Sequence, residues 1–182
     1  GVPRPHVDEK TTQWSQLRKL YDANTDGRTL PLWIVNTNDG DKGEDNTSKI
    51  FEITPFGYGT SNPRFPGYRN VTPDRTLSFS NLSTSVRAAA GFADAQGLEH
   101  AQLRTFIKRV AKIFPGAEWG IDTNVVTADG QYHKVHLSDG GGADNLGLYS
   151  LLKRGLDDII IVDTAADGAG AMDDLCAIKR AL

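Results

Sequence analysis

The chain has 182 residues, 38% of them hydrophobic and 24% charged, which fits one globular unit and excludes a mostly disordered or fibrous protein. Lys and Arg total 20 against 23 Asp and Glu, so the net charge of -3 gives no basic surplus for a nucleic-acid partner. The single cysteine, Cys176, excludes an internal disulfide framework and a cysteine-based zinc site.

The first half of the chain predicts a helix, two strands and then a second helix. The helix is short and amphipathic, ends before Asn24, and is indicated by apolar residues at three- and four-residue spacing: Trp14, Leu17, Leu20 and Tyr21. Apolar residues predict a strand over 32–36 and another over 49–54, which Pro55 ends. A helix capped by Ser83 or Thr84 is expected to run through residue 92.

The second half predicts helices alternating with strands. A strong apolar stripe indicates a helix over 103–114, and strands over 123–127 and 132–137 flank a hairpin turn. Asp144 is expected to cap a helix through residue 152 that Gly155 ends, and Cys176 to pack inside a C-terminal helix. The continuous apolar run over 158–163 predicts a strand buried on both faces, so the class is α/β.

The most informative stretch is residues 136–154, which reads as a strand, a glycine turn and a helix start. Consecutive glycines tolerate positive φ and close approach of other groups, and an Asp at a strand end projects from the sheet edge where α/β proteins place ligands. Asp139 is therefore a candidate acid, base or orienting group. The alternative is a turn residue whose carboxylate binds nearby amides.

Three motifs support a resemblance to a known family. Leu-Ser-Asp-Gly-Gly is followed, after three residues, by Asn-Leu-Gly-Leu-Tyr, and an apolar run then ends in Asp163. Pro-Leu-Trp-Ile-Val-Asn-Thr, Phe-Glu-Ile-Thr-Pro and a Ser/Ala-rich segment over 83–93 precede them in the expected order. Over residues 30–164 the chain resembles patatin-like phospholipases, especially large bacterial members that share features with cytosolic phospholipase A2.

The resemblance implies a three-layer α/β/α sandwich with a mostly parallel central sheet, of which this chain is the C-terminal portion. The chain would be a single unit, with an N-terminal extension and helix over 1–29 and a C-terminal helix over 165–182. In the family a serine attacks a lipid ester and an Asp activates it, which makes Asp139 the catalytic base. Gly140, Gly141 and Gly142 would shape the turn, and Asn145 would hold the loop by hydrogen bonds.

The resemblance implies no metal and no cofactor, although calcium-dependent membrane docking exists among relatives. The expected partners are a lipid or phospholipid substrate and the segment or chain that carries the serine, with peripheral membrane contact through that missing part. The Gly-x-Ser-x-Gly turn of the nucleophile is absent here. Its nearest approximation is Gly59-Thr-Ser61-Asn-Pro63, which lacks the last glycine and does not follow a buried strand.

Two alternatives remain open. The chain can be a catalytically inactive structural or interaction module of the same fold. It can also bind calcium or a sugar through its Asp-rich loops, since Asp22-Ala-Asn-Thr-Asp-Gly27 begins like a calcium loop, although Trp33 occupies the position of the bidentate Glu. His133 and His136 are expected on opposite faces of a strand and do not form a metal pair.

Overall fold

The computed structural model describes residues 12–24, 30–39, 49–60, 68–91, 120–126, 130–162, 170 and 172–181, and shows a mixed α/β architecture. The described helices are α1 (Trp14–Asp22), α2 (Leu82–Ala89), α3 (Gly141–Asp144), α4 (Leu148–Leu152) and α5 (Asp173–Ala181). The described strands are β1 (Val35–Asp39), β2 (Lys49–Thr54), β3 (Gly57–Thr60), β4 (Tyr68–Arg69), β5 (Ile121–Val126) and β6 (Tyr132–Asp139).

These strands form a six-stranded sheet in the order β4-β3-β2-β1-β6-β5. Every pairing among the described strands is antiparallel, so the expected mostly parallel sheet is not what this part of the chain forms. The connections explain the difference. Two residues separate β2 from β3 and five separate β5 from β6, and connections this short link only antiparallel strands.

Helices cover both faces of the sheet, and the two faces differ in chemistry. The first face carries the apolar core, in which Val35, Phe51 and Leu137 pack with Leu82 and Ala88 of α2. Alternation along β1 and β2 places Asn36 and Glu52 on the second face. There the Ser150 hydroxyl of α4 donates to Asn36 Oδ1 (2.9 Å) and Arg154 pairs with Glu52.

Trp14 ties α1 to α2 at the centre of the apolar face. Its side chain is fully buried, and its indole N–H lies 3.0 Å from the Phe79 carbonyl and 2.9 Å from Ser85 Oγ. Asn81 caps α2 by accepting from the Thr84 amide at 2.8 Å, two or three residues before the predicted cap positions. The N–H of a buried indole needs such partners, so α1 and α2 share one anchor.

The hairpin of β5 and β6 is confirmed, and α1 is confirmed as a helix although Leu20 is exposed. The strand predicted over 32–36 begins three residues later, at Val35. The observed strand β1 is mostly polar, because one of its faces packs against polar side chains of α4. The stripe over 103–114 and Ser61 lie outside the described residues.

The buried strand expected over 158–163 is wrong for the described part of that segment. Residues 158–162 form no strand, and Ile160 and Val162 are 91% and 79% exposed. An extended apolar segment becomes a strand only when a neighbour satisfies its amides and carbonyls, and no described strand lies beside this one. Cys176 is exposed on α5, so its predicted packing in the core is also wrong.

We expect Trp14→Phe to lower the free energy of unfolding by about 2 kcal/mol or more, because it removes the shared hydrogen-bond donor and leaves a void. Urea denaturation followed by circular dichroism measures the change. Trp33→Phe is the matched control, since Trp33 is 45% exposed, and we expect a change within about 0.5 kcal/mol. Equal losses in the two variants would contradict the assigned anchor.

Candidate active site at the Asp139 turn

Asp139 is the last residue of β6 and opens the glycine turn. Strand pairing places it opposite Thr37 of β1. Its side chain is half-buried, and Oδ1 accepts a hydrogen bond from the Gly141 amide at 2.9 Å. Among the described residues no hydrogen bond is made to Oδ2. The carboxylate is thus held in one orientation through one oxygen, and the part of the chain that the structure describes places no hydrogen bond on the other.

Gly140 fixes how close the turn lies to the sheet. A Cβ at this position would lie 2.4 Å from the Asn36 carbonyl oxygen, a distance at which backbone must move. The Gly140 amide donates to the Ala89 carbonyl at the end of α2 (3.2 Å). Its φ is -60°, so close approach, not positive φ, requires glycine here. The turn is therefore held between β1 and α2.

Gly141 and Gly142 begin α3 and lie against amide side chains. A Cβ on Gly141 would lie 2.8 Å from Asn145 Oδ1, and one on Gly142 would lie 2.7 Å from Asn38 Nδ2. Asn38 and Ser138 face each other across β1 and β6. Both are buried, and within the described part of the chain Asn38 Oδ1 and Ser138 Oγ have no hydrogen-bond partner. The layer beneath the turn is therefore polar and incompletely satisfied.

Two carboxylates hold the segment that follows the turn. Asp144 is 4% exposed, and its oxygens accept from the Leu148 amide (3.1 Å) and the Tyr149 amide (2.8 Å). Asp144 thus binds the first amides of α4 as predicted, although it is itself the last residue of α3 and Gly147 occupies the N-cap position of α4. Asn145 donates to Asp174 of α5 at 2.7 Å, which joins the C-terminal helix to the loop. Asn145 therefore bonds to α5, and the fixed hydrogen bond within the turn is made by the Gly141 amide.

The Glu52–Arg154 ion pair fastens the end of α4 to β2. Arg154 donates to Glu52 with both terminal nitrogens and also to the Ser150 carbonyl (2.6 Å). The hydrogen bonds to Glu52 raise the pKa of Arg154 above its usual value. Burial raises the pKa of Tyr68, whose hydroxyl lies 2.7 Å from Thr54 Oγ1 on the same face. These contacts keep α4 in place beside the Asp139 turn.

An open apolar cavity of about 390 Å³ adjoins the turn. It is lined by residues 31–34 together with Asn36, Gly147 and Leu151. Asn36 belongs to both features, because its side chain lines the cavity while its carbonyl contacts Gly140. Strand pairing sets Asp139 opposite Thr37, so the Asp139 and Asn36 side chains project from opposite faces of the sheet.

Sequence reasoning did not identify a second group of charged side chains in contact, which lies on the β5–β6 hairpin. His136 Nδ1 lies 2.7 Å from Asp122 Oδ1, and Lys134 Nζ lies 3.1 Å from Asp122 Oδ2. The hydrogen bond from His136, followed by that from Lys134, lowers the pKa of Asp122. The hairpin register, which sets Asp122 opposite His136, was the signal available in the sequence. Asp122 is 57% exposed, typical of a surface pair on an edge strand.

The described residues contain neither a metal-ligating cluster nor a helix that could cross a membrane. Asp22 of the calcium-like segment is bound by Arg18 at 2.8 Å, so its charge is already paired, and residues 25–29 lie outside the description. No cluster of three or more metal-ligating side chains occurs in the described ranges. Within the same ranges, no helix has the length and apolar character needed to cross a membrane.

Comparisons with protein-family models, curated proteins and solved structures gave no match to this chain.

We expect Gly140→Ala to cost roughly 1–3 kcal/mol of unfolding free energy, because its Cβ would press on backbone of β1. Gly141→Ala is the control: its nearest neighbour is the end of the Asn145 side chain, which can rotate away, so we expect a loss below about 1 kcal/mol. Chemical denaturation of both variants gives the comparison. A Gly140→Ala variant as stable as wild type would show that the turn does not rest on β1.

Proposed function

We propose that this chain is the C-terminal part of a patatin-like lipid acyl hydrolase and that Asp139 is its general base. The observation that carries the proposal is the Asp139 carboxylate, held by the Gly141 amide through one oxygen and without a described hydrogen bond at the other. A base must be oriented and within reach of the proton it accepts. The apolar cavity lined by residues 31–34 and Leu151 suits the hydrocarbon part of a lipid ester.

The proposed reaction is hydrolysis of a fatty-acyl ester in a phospholipid or related lipid. Asp139 accepts the hydroxyl proton of a serine as the serine oxygen bonds to the ester carbonyl carbon, and the proton then passes to the leaving alcohol. Water, deprotonated by the same carboxylate, releases the fatty acid and restores the serine. Gly140 permits the close turn, Gly141 supplies the orienting amide, and Gly142 begins the supporting helix.

The serine is proposed to come from a segment or chain outside this sequence, which contains no Gly-x-Ser-x-Gly. The exposed apolar side chains of Leu156, Ile160 and Val162 support such a partner, because they contact water in this chain. The parallel strands of the three-layer sandwich are proposed to belong to the serine-bearing part. Peripheral contact with a lipid surface is proposed to involve that same part.

One observation favours a second candidate, a catalytically inactive module of the same fold. The bond from Asp139 Oδ1 to the Gly141 amide is also what a purely structural turn residue makes. An inactive module needs the turn but no serine. The two candidates predict different results when the Asp139 carboxylate is replaced. A base that is lost lowers the rate of ester hydrolysis, whereas the loss of a turn residue leaves that rate unchanged.

We expect the isolated 182-residue chain to hydrolyse no acyl ester, because the nucleophile is absent. Release of p-nitrophenol from a p-nitrophenyl ester measures this directly. Turnover by the pure chain that is lost in Ser61→Ala would contradict the proposal, since it would place the nucleophile inside this sequence.

In the full-length protein that carries the serine, we expect Asp139→Asn to lower kcat by on the order of 10⁴. Asn keeps an oxygen for the Gly141 amide, so the turn is preserved while the base is removed. Ester hydrolysis under saturating substrate measures kcat, and thermal unfolding checks the fold.

Asp157→Asn is the matched control for this change, because Asp157 is exposed and loses the same charge. Asp144 does not serve, since both of its oxygens accept backbone amides and an Asn would turn a donor towards one of them. Full activity in a folded Asp139→Asn variant would assign Asp139 to the turn alone and support the inactive module.

A further inference from the structure

The C-terminal helix α5 is joined to the loop after the Asp139 turn by a side-chain hydrogen bond. Asn145 Nδ2 donates to Asp174 Oδ2 at 2.7 Å. A carboxylate can only accept hydrogen bonds, so the Nδ2 end of the Asn145 amide must face α5. The Asn145 oxygen is thereby directed away from the carboxylate of Asp174.

The Asn145 oxygen lies against Gly141. A Cβ at Gly141 would lie 2.8 Å from Asn145 Oδ1 and 3.3 Å from Asp139 Oδ1. The Gly141 amide donates to that same Asp139 oxygen at 2.9 Å. Gly141 is therefore placed between the Asn145 amide and the Asp139 carboxylate, and the direction of the Asn145 amide limits where the Gly141 peptide can lie.

The docked position of α5 depends on contacts that are distant in sequence. Ile178 is 2% exposed, so one side of α5 is anchored in the protein. The chain enters α5 through Met172, whose φ of +50° is uncommon for a residue with a Cβ. Such a backbone conformation is unfavourable by itself and persists because surrounding contacts hold it. The burial of Ile178 and the bond from Asn145 to Asp174 are contacts of this kind.

We infer that Asp174 positions the Asp139 turn, because it fixes the Asn145 amide and thereby holds Gly141 where its N–H meets the Asp139 carboxylate. Helix α5 is then a latch on the turn: the turn is ordered when α5 is docked and loosens when α5 is released. The consequence for catalysis rests on the proposed function, whereas the ordering of the turn does not. Asp174 acts through Asn145 and is a positioning residue.

The test compares Asp174→Ala with Asp173→Ala in the pure chain labelled with nitrogen-15. Both variants remove one carboxylate from the first turn of α5, so both lose the same favourable interaction with the helix N-terminus. Of the two carboxylates, Asp174 is the one that binds Asn145. We expect the Gly141 amide proton to exchange with water about threefold faster or more in Asp174→Ala, and at the wild-type rate in Asp173→Ala.

Asp174→Asn tests whether the hydrogen bond is the cause. Its side-chain oxygen can still accept from Asn145, so we expect the exchange rate of the Gly141 amide to return to the wild-type value. An unchanged rate in Asp174→Ala would overturn the inference. Equal acceleration in Asp173→Ala, or a rate that stays raised in Asp174→Asn, would do the same, because the effect would then come from the charge at the helix end.

In the full-length enzyme we expect Asp174→Ala to lower kcat about threefold or more with KM unchanged, because the base and not the substrate loses its position. The two proposals fail separately. If Asp139 is not a base, the Gly141 amide still responds to Asp174→Ala while Asp139→Asn keeps full activity. If α5 does not position the turn, the Gly141 amide is unchanged in Asp174→Ala while Asp139→Asn still lowers kcat.

Discussion

The close contact between the glycine turn and β1 is the constraint on which the rest of the region depends. Gly140 approaches the Asn36 carbonyl more closely than any side chain would allow. Pairing of Thr37 with Asp139 fixes the register at the same point, and a shift by one residue would reverse the faces of β6. The position of the carboxylate is thus determined by backbone geometry, which tolerates little adjustment.

The difference between the two sheet faces explains how this backbone is held. On one face Trp14, Phe51 and Phe79 supply apolar burial, the main driving force for folding. On the other face hydrogen bonds and one ion pair join β1 and β2 to α4. Such polar layers contribute little net stability, yet they require specific geometry because an unpaired buried group is costly. The apolar face stabilises the sheet, and the polar face orients the elements around the turn.

Local patterns predicted the features that depend on neighbouring residues. Helix α1, the β5–β6 hairpin and the capping by Asp144 follow from spacing, turn residues and side-chain chemistry within a few positions. The start of β1 was predicted three residues early. The prediction followed the apolar residues, whereas the observed strand begins where β1 pairs with β2. The Asp122–His136 contact depends on the pairing of two strands, and the exposure of Ile160 follows because no described strand lies beside it; apolar periodicity encodes neither.

The turn and catalytic interpretations of Asp139 are compatible in physical terms. A carboxylate has two oxygens, and the bond from the Gly141 amide uses Oδ1 only. Holding one oxygen reduces the rotational freedom that a base must otherwise lose when it meets its nucleophile. The hydrogen bond that makes Asp139 a turn residue also fixes the direction of its second oxygen, which is what the proposed role as a base requires.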